Sequence, residues 1–197
     1  MEEQIVKYRD HIKEICPEIT ESELQSFTDG LTVTHINKNG FYINAGEIQK
    51  RGGFLTKGLI RAFYTDKFGN EKNIYFVPEN EYAFHYASFI DGKASPLSFQ
   101  CLEKSTIINF SGDHLRKAFE QIPRFERYGR LLVESKLKIQ QERLESLLYK
   151  DAEQLYVDFI TNYSQLFNRI SLSQLCSYLG VERQTLTRIR KKISQTK

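Results

Sequence analysis

The residues best suited to chemistry lie between positions 183 and 192, where the sequence reads RQTLTRIRKK. Leu186, Ile189 and Ile193 recur at helical spacing, so a helix here buries one face and presents Arg183, Gln184, Thr185, Thr187, Arg188, Lys191 and Lys192 on the other. A glutamine amide can pair bidentately with adenine, a guanidinium fork with guanine or phosphate, and a lysine acts as a point charge. From Arg183 onward there are six basic residues and no acid, whereas residues 1–150 carry 21 Lys and Arg against 21 Asp and Glu. The basic excess is therefore local, the pattern of a nucleic-acid surface on a neutral body. The competing reading is a helical hairpin with a solvated basic face.

No comparable constellation for catalysis exists. His11, His35, His85 and His114 show no paired spacing with one another, so no metal site is expected. Cys16, Cys101 and Cys176 lie far apart and read as buried thiols in a reducing compartment. No nucleophile–base pairing and no glycine-rich phosphate loop is present, so the chain is not expected to be an enzyme. The charged start MEEQIVKYRDHIKE lacks an apolar leader, and no window approaches a membrane span. A cytoplasmic protein without membrane contact is the expectation.

The basic helix needs elements to hold it. Leu172, Leu175, Cys176 and Leu179 share one face of a preceding helix, and Gly180 breaks it, which is the form of a helix-turn-helix. Ser171 stands at the N-cap with Gln174 three residues on, a capping-box signature that leaves backbone N–H groups aimed at a nearby phosphate. Ala152, Leu155, Phe159 and Ile160, continued by Tyr163, Leu166 and Phe167, predict the third helix of this module, after a hinge at Lys150-Asp151-Ala152. Upstream, Arg124–Leu148 is one long helical pattern with Gly129 as its weak point. Two stripes run along it: Tyr128, Leu132, Ser135 and Ile139, and Val133, Leu137, Gln140, Leu144 and Leu147. One stripe needs cover from its own chain and the other from a twin helix, the alternative being that its own chain covers both.

From Leu31 to Phe110, short runs rich in Val, Ile, Phe, Tyr and Thr alternate with Gly, Asn and Asp, which predicts a β-sandwich or barrel. The clearest hairpin turns at Lys67-Phe68-Gly69-Asn70, with period-2 alternation over Leu59–Tyr64. Before it, residues 4–29 read as one or two helices, with Ile5, Tyr8, Ile12 and Ile15 on one face, a stop at Pro17 and a cap near Thr20.

The run QLCSYLGVERQTLTRIRKKI resembles the DNA-binding end of the Crp–Fnr family of bacterial transcription regulators. The run GLIRAFYTDKFGNEKNIYFVPENEYAFHYASFIDGKASPLSFQCLE resembles, more diffusely, the β-roll sensor domain of the same family. The resemblance implies an α+β fold: a β-roll (jelly-roll-like) sensor with N-terminal helices over 1–123, a dimerisation helix over 124–149 and a helix-turn-helix domain over 150–197. It implies double-stranded DNA and a second copy as partners, with RNA polymerase a further candidate. Arg183, Gln184 and Arg188 fall where the family's base- and phosphate-contacting residues lie, and Tyr128, Leu132, Ser135 and Ile139 would form the dimer seam. The chain given ends at Lys197, directly after the basic helix, so no wing hairpin is expected. Affinity should then rest more on Arg169, Ser171, Ser173 and the Arg190–Lys192 cluster.

The family's cyclic-nucleotide binders carry a Gly-Glu-Leu triplet followed about ten residues on by an arginine, which supply the ribose carboxylate and the bidentate phosphate partner. This chain has Phe84-His85-Tyr86 for the triplet and Ser95 or Pro96 for the arginine. No cofactor is expected, and a conventional cyclic nucleotide is disfavoured. Glu81 or Glu79 and Lys93 are the nearest substitutes, and a candidate pocket comprises Glu81, Tyr82, Phe84, His85, Ser88, Lys93, Ser95 and Ser98. Two alternatives stand beside the DNA-binding regulator: a receptor for cyclic AMP or GMP, and a small-ligand module whose helix-turn-helix serves protein contact.

Overall fold

The computed structural model describes residues 2–195. The first helix, α1 (Glu2–Ile15), buries Tyr8 and Ile12 and ends before Pro17, as its spacing predicts. Thr20 then forms a full capping box with Glu23 and starts α2 (Glu21–Thr28). Eight antiparallel strands follow: β1 (Thr32–Ile36), β2 (Phe41–Ile43), β3 (Arg51–Lys57), β4 (Ile60–Thr65), β5 (Glu71–Val77), β6 (Glu81–Ala83), β7 (Ser98–Cys101) and β8 (Ser105–Ser111). They form two four-stranded sheets, ordered β1-β8-β3-β6 and β2-β7-β4-β5. A short helix, α3 (Tyr86–Asp91), interrupts the run between β6 and β7. Helix α4 (Gly112–Gln121) leads into α5 (Pro123–Tyr149), and α6 (Ala152–Asn162), α7 (Leu172–Leu179) and α8 (Arg183–Gln195) complete the chain. The fold is α+β, as expected.

Two compact units emerge, one of Met1–Ala62 with Phe76–Leu137 and the other of Phe63–Tyr75 with Lys138–Lys197. The division falls inside α5, and it places the outer part of the β4–β5 hairpin with the C-terminal helices.

The first unit is organised around aromatic side chains. Tyr8 stacks on Phe54 with centroids 4.4 Å apart, and Phe27 meets Phe125 at 4.3 Å. Register sets Phe54 of β3 between Tyr82 of β6 and Ile108 of β8, so one row crosses three strands. Offset and tilted rings at these distances contribute beyond their buried area. Gly129 permits close approach here, because a Cβ at that position would lie 2.7 Å from the Phe119 ring. What reads in the sequence as a weak point in α5 is a packing requirement.

Two expectations needed correction, and two short elements carry no signal of their own. β6 and α3 do not stand out in the sequence, being too short to show a period. The alternation over β4 does not separate an inside from an outside. Ile60, Arg61, Ala62 and Phe63 are all buried, and Arg61 donates from Nε and Nη2 to Gln100 Oε1 at 2.9 and 2.6 Å. The third helix of the C-terminal module stops at Asn162, because Tyr163 leaves helical geometry, and a single 3₁₀ turn (Ser164–Leu166) carries the chain onward. The hairpin turn is where it was expected, held by Asp66 Oδ1, which accepts from the backbone N–H of Phe68 and of Asn70 at 2.9 Å each. No helix among the described residues is long and apolar enough to cross a membrane.

Candidate nucleic-acid interface

In the second unit, α6, α7 and α8 close on Leu155, Phe159, Leu166, Leu175, Cys176, Leu179, Leu186 and Ile189, all buried. Ser171 caps α7 in the predicted box: its Oγ accepts from Gln174 N–H at 3.1 Å, and its own N–H donates to Gln174 Oε1 at 2.8 Å. Gly180 ends α7 in the left-handed region at φ 69°, so its N–H and that of Val181 both turn back to the Cys176 carbonyl. A β-carbon would resist that geometry, and the tight turn delivers α8 across α7. The first α8 bond runs from Leu186 N–H to the Glu182 carbonyl at 3.0 Å.

Arg183, Gln184, Thr187, Arg188 and Lys191 are exposed on α8, and Thr185 is half-buried. The Thr187 hydroxyl donates to the Arg183 carbonyl at 2.8 Å, which leaves its oxygen and methyl for contact. Lys192 differs from the others, pairing with Glu153 of α6 at 2.7 and 2.9 Å. That pair is solvent-exposed, so it is weak and readily exchanged for a phosphate. Arg190 places its guanidinium 5.4 Å from the Phe167 centroid, beside the base of the helix. Ser173 is exposed on the first turn of α7, and Arg169 is half-buried just before the cap. The structure thus brings the predicted DNA-facing residues onto one helix and the N-terminus of its neighbour.

Contacts that anchor α7 escaped the sequence reading. Arg143 of α5 lies over the Tyr178 ring at 3.8 Å and donates to the Tyr178 carbonyl. Burial pushes the Tyr178 phenol up to about 12. On β5, Asn73 N–H donates to Ser177 Oγ at 2.9 Å, and the Ser177 hydroxyl donates to the Glu71 carbonyl at 2.9 Å. Asn73 Nδ2 reaches the Gln174 carbonyl at 3.3 Å. Nothing in residues so distant in sequence signals these bonds.

The tentative pocket is not assembled. Tyr82 lies in the aromatic core, its hydroxyl bonded to those of Tyr8 and Tyr128, and Phe84 meets Phe89 at 5.1 Å. Glu81 pairs with Lys136, and Glu79 Oε1 accepts from Gly58 N–H at 2.9 Å. His85 caps α3, accepting from Ser88 N–H, while Ser88 Oγ donates to the Ala94 carbonyl at 3.0 Å. Lys93 pairs with Asp91 at 2.9 Å on the surface, Ser95 donates to the Leu97 carbonyl, and Ser98 accepts from Ala45 N–H. Each polar group has a structural partner of its own, and Tyr82 and Phe84 belong to the aromatic core between the sheet and the helices. An open polar groove of about 300 Å³ lies elsewhere, between Lys7, Asp10, His11 and Glu14 of α1 and Thr56, Glu79 and Asn80. Among the described residues no group of three His, Cys, Asp or Glu side chains could hold a metal ion.

The stripe expected at a dimer seam is covered at one end and open at the other. Tyr128 is buried against the roll and Leu132 packs on the same core, so these two serve their own chain. Val133, Leu137, Leu144 and Leu147 of the second stripe are exposed by 41, 66, 59 and 46 %. Ser135 and Ile139 are exposed as well.

No family model matches the chain, and no curated protein matches its sequence. Solved structures do match. The c-di-GMP-responsive global regulator CLP of Xanthomonas campestris aligns with TM-score 0.72 at 13 % identity, over 90 % of this chain and 93 % of its own. This chain has the fold of the Crp–Fnr regulators. FixK2 from Bradyrhizobium japonicum aligns with TM-score 0.70 at 14 % identity, over 84 % of this chain and 85 % of its own. A Crp/Fnr-family transcriptional regulator from Eubacterium rectale gives 0.70 at 12 %, over 91 and 86 %. Identities this low speak for the architecture; the side chains must argue the rest.

Proposed function

We propose that the chain is a dimeric DNA-binding transcription regulator of the Crp–Fnr type that places α8 in the major groove of each half of a two-fold symmetric site. The observation that carries this reading is the exposed, acid-free face of α8, delivered by a capped helix-turn-helix within a Crp–Fnr fold. Gln184 would pair with adenine, and Arg183 or Arg188 with guanine, while Lys191, Lys192, Ser173 and the N-terminus of α7 hold phosphates. The stripe Val133, Leu137, Leu144 and Leu147 supports a second copy along α5, which two half-sites about 34 Å apart require.

The sensor would work without a conventional cyclic nucleotide. In support, both candidate carboxylates have partners, Lys93 is tied to Asp91, and Tyr82 and Phe84 pack into the aromatic core between the sheet and the helices. The test of the whole reading is selection from randomised duplex DNA with ligand-free protein, followed by binding at two salt concentrations. Enrichment of a two-fold symmetric sequence with a steep salt dependence is expected. Failure to enrich any sequence, with and without cyclic AMP, cyclic GMP and c-di-GMP, overturns it.

A further inference from the structure

The connection between α5 and α6 is two residues, Lys150 and Asp151. Rotation about so few bonds could swing the recognition helix widely, so its orientation against the end of α5 depends on non-covalent contacts. Lys150 pairs with Asp158 of α6, and further contacts fall on α7. Arg143 holds Tyr178 from α5. On another side, Ser177 meets the open edge of β5, the last strand in its sheet.

An edge strand presents unpaired N–H and C=O groups, alternate residues on the same side. Glu71 and Asn73 are two apart, and one hydroxyl satisfies both: Ser177 Oγ accepts from Asn73 N–H and donates to the Glu71 carbonyl. Serine is suited to this because its single oxygen is both donor and acceptor. Asn73 is only 5 % exposed and adds its Nδ2 bond to the Gln174 carbonyl. These three hydrogen bonds form a latch between α7 and the β5 edge.

The latch covers none of Arg183, Gln184, Arg188 or Lys191, all of which remain exposed. It therefore orients the reading face without masking it. We propose that Ser177, bonded to the β5 edge at Glu71 and Asn73, is a positioning residue that fixes the angle of α8 to α5 and thereby the half-site spacing the dimer accepts. This rests on the DNA-reading function proposed above.

The test measures binding of the full chain to its selected site and to versions with one or two base pairs inserted between the half-sites, for the native protein, Ser177→Ala, Asn73→Ala and Ser177→Thr. The native protein should lose about tenfold or more in affinity per altered spacing. In Ser177→Ala that penalty should fall to about two- or threefold, with base preference inside each half-site unchanged. Asn73→Ala should show a smaller relaxation, and Ser177→Thr, which keeps the hydroxyl, should restore the native profile. A Ser177→Ala protein that melts normally and keeps the native spacing profile overturns the latch while leaving DNA reading intact. If Ser177→Ala does not fold, an unrelaxed profile in Ser177→Cys, which replaces the hydroxyl by a weak donor and acceptor, overturns it equally. Native protein that selects no symmetric DNA removes both the reading and the latch.

Discussion

Gln184 and Lys191 both stand exposed on α8, yet their chemistry predicts different losses. Gln184→Ala should relax preference at one base position, by about 1–3 kcal/mol of discrimination. Lys191→Ala should weaken all duplexes alike and lower the log–log salt slope by about 1. Titrations of matched and mismatched duplexes at two salt concentrations distinguish them, and an unchanged preference in Gln184→Ala means another face docks. His11 makes a separate prediction. Its Nε2 is buried without a partner and its ring lies 4.9 Å from Phe54, so burial lowers its pKa, opposed by Glu81 and Glu14 and aided by Lys136. The unfolded chain then takes up this proton more readily than the folded one, so the contribution is complete above the ordinary value of 6.5 and is lost as pH falls below it. Denaturant midpoints should decline from about pH 7 to about pH 5.5, and His11→Gln should flatten that decline.

At the scale of elements, α5 has two faces with different cover. Phe125 and Tyr128 are buried against the roll, whereas Leu137 and Leu144 are exposed by 66 and 59 %. Leu137→Glu with Leu144→Glu should leave the monomer fold intact, because neither side chain is in its core. The pair should shift sedimentation to a monomer and weaken symmetric-site binding by about 100-fold, the loss of a tethered second half-site. A dimer that survives both changes would place the seam elsewhere. The periodicity of α5 is plain in the sequence, but which stripe faces the roll is not. Two amphipathic faces of similar apolar content differ only in what the sheet offers them, and Tyr82 on β6 decided it by meeting Tyr128.

At the scale of the whole molecule, the residues expected to line a pocket are taken up by an aromatic core between one sheet of the roll and the helices that cover it. Tyr8, Phe27, Phe54, Phe110 and Phe125 are buried together, joined by Tyr82 and Phe84 at their edge. Cyclic AMP, cyclic GMP or c-di-GMP at millimolar concentration should therefore raise the melting temperature by less than about 1 °C, since only binding to the native state stabilises it. A shift of several degrees that vanishes in Glu81→Ala would restore the nucleotide-receptor reading.

The local signals were read directly because their physics is local. Ser171 with Gln174, Gly180, the stripe Leu186, Ile189 and Ile193, and the acid-free stretch after Glu182 each act within a turn or two of helix, so α7, the turn, α8 and its basic face were legible residue by residue. The turn at Asp66–Asn70 was legible for the same reason. The pocket was not. Whether Glu81 faces a ligand or Lys136, and whether Tyr82 and Phe84 line a cavity or fill it, depends on side chains dozens of residues away. The bonds of Ser177 to Glu71 and Asn73 span more than a hundred residues and leave no period, motif or charge run behind. Sequence alone determined the longer elements and the basic face of α8, because capping, turn geometry and amphipathic spacing are near-neighbour effects. Tertiary structure alone decided which faces are covered, which carboxylates are already paired and what holds α7, because those depend on where distant chain segments meet.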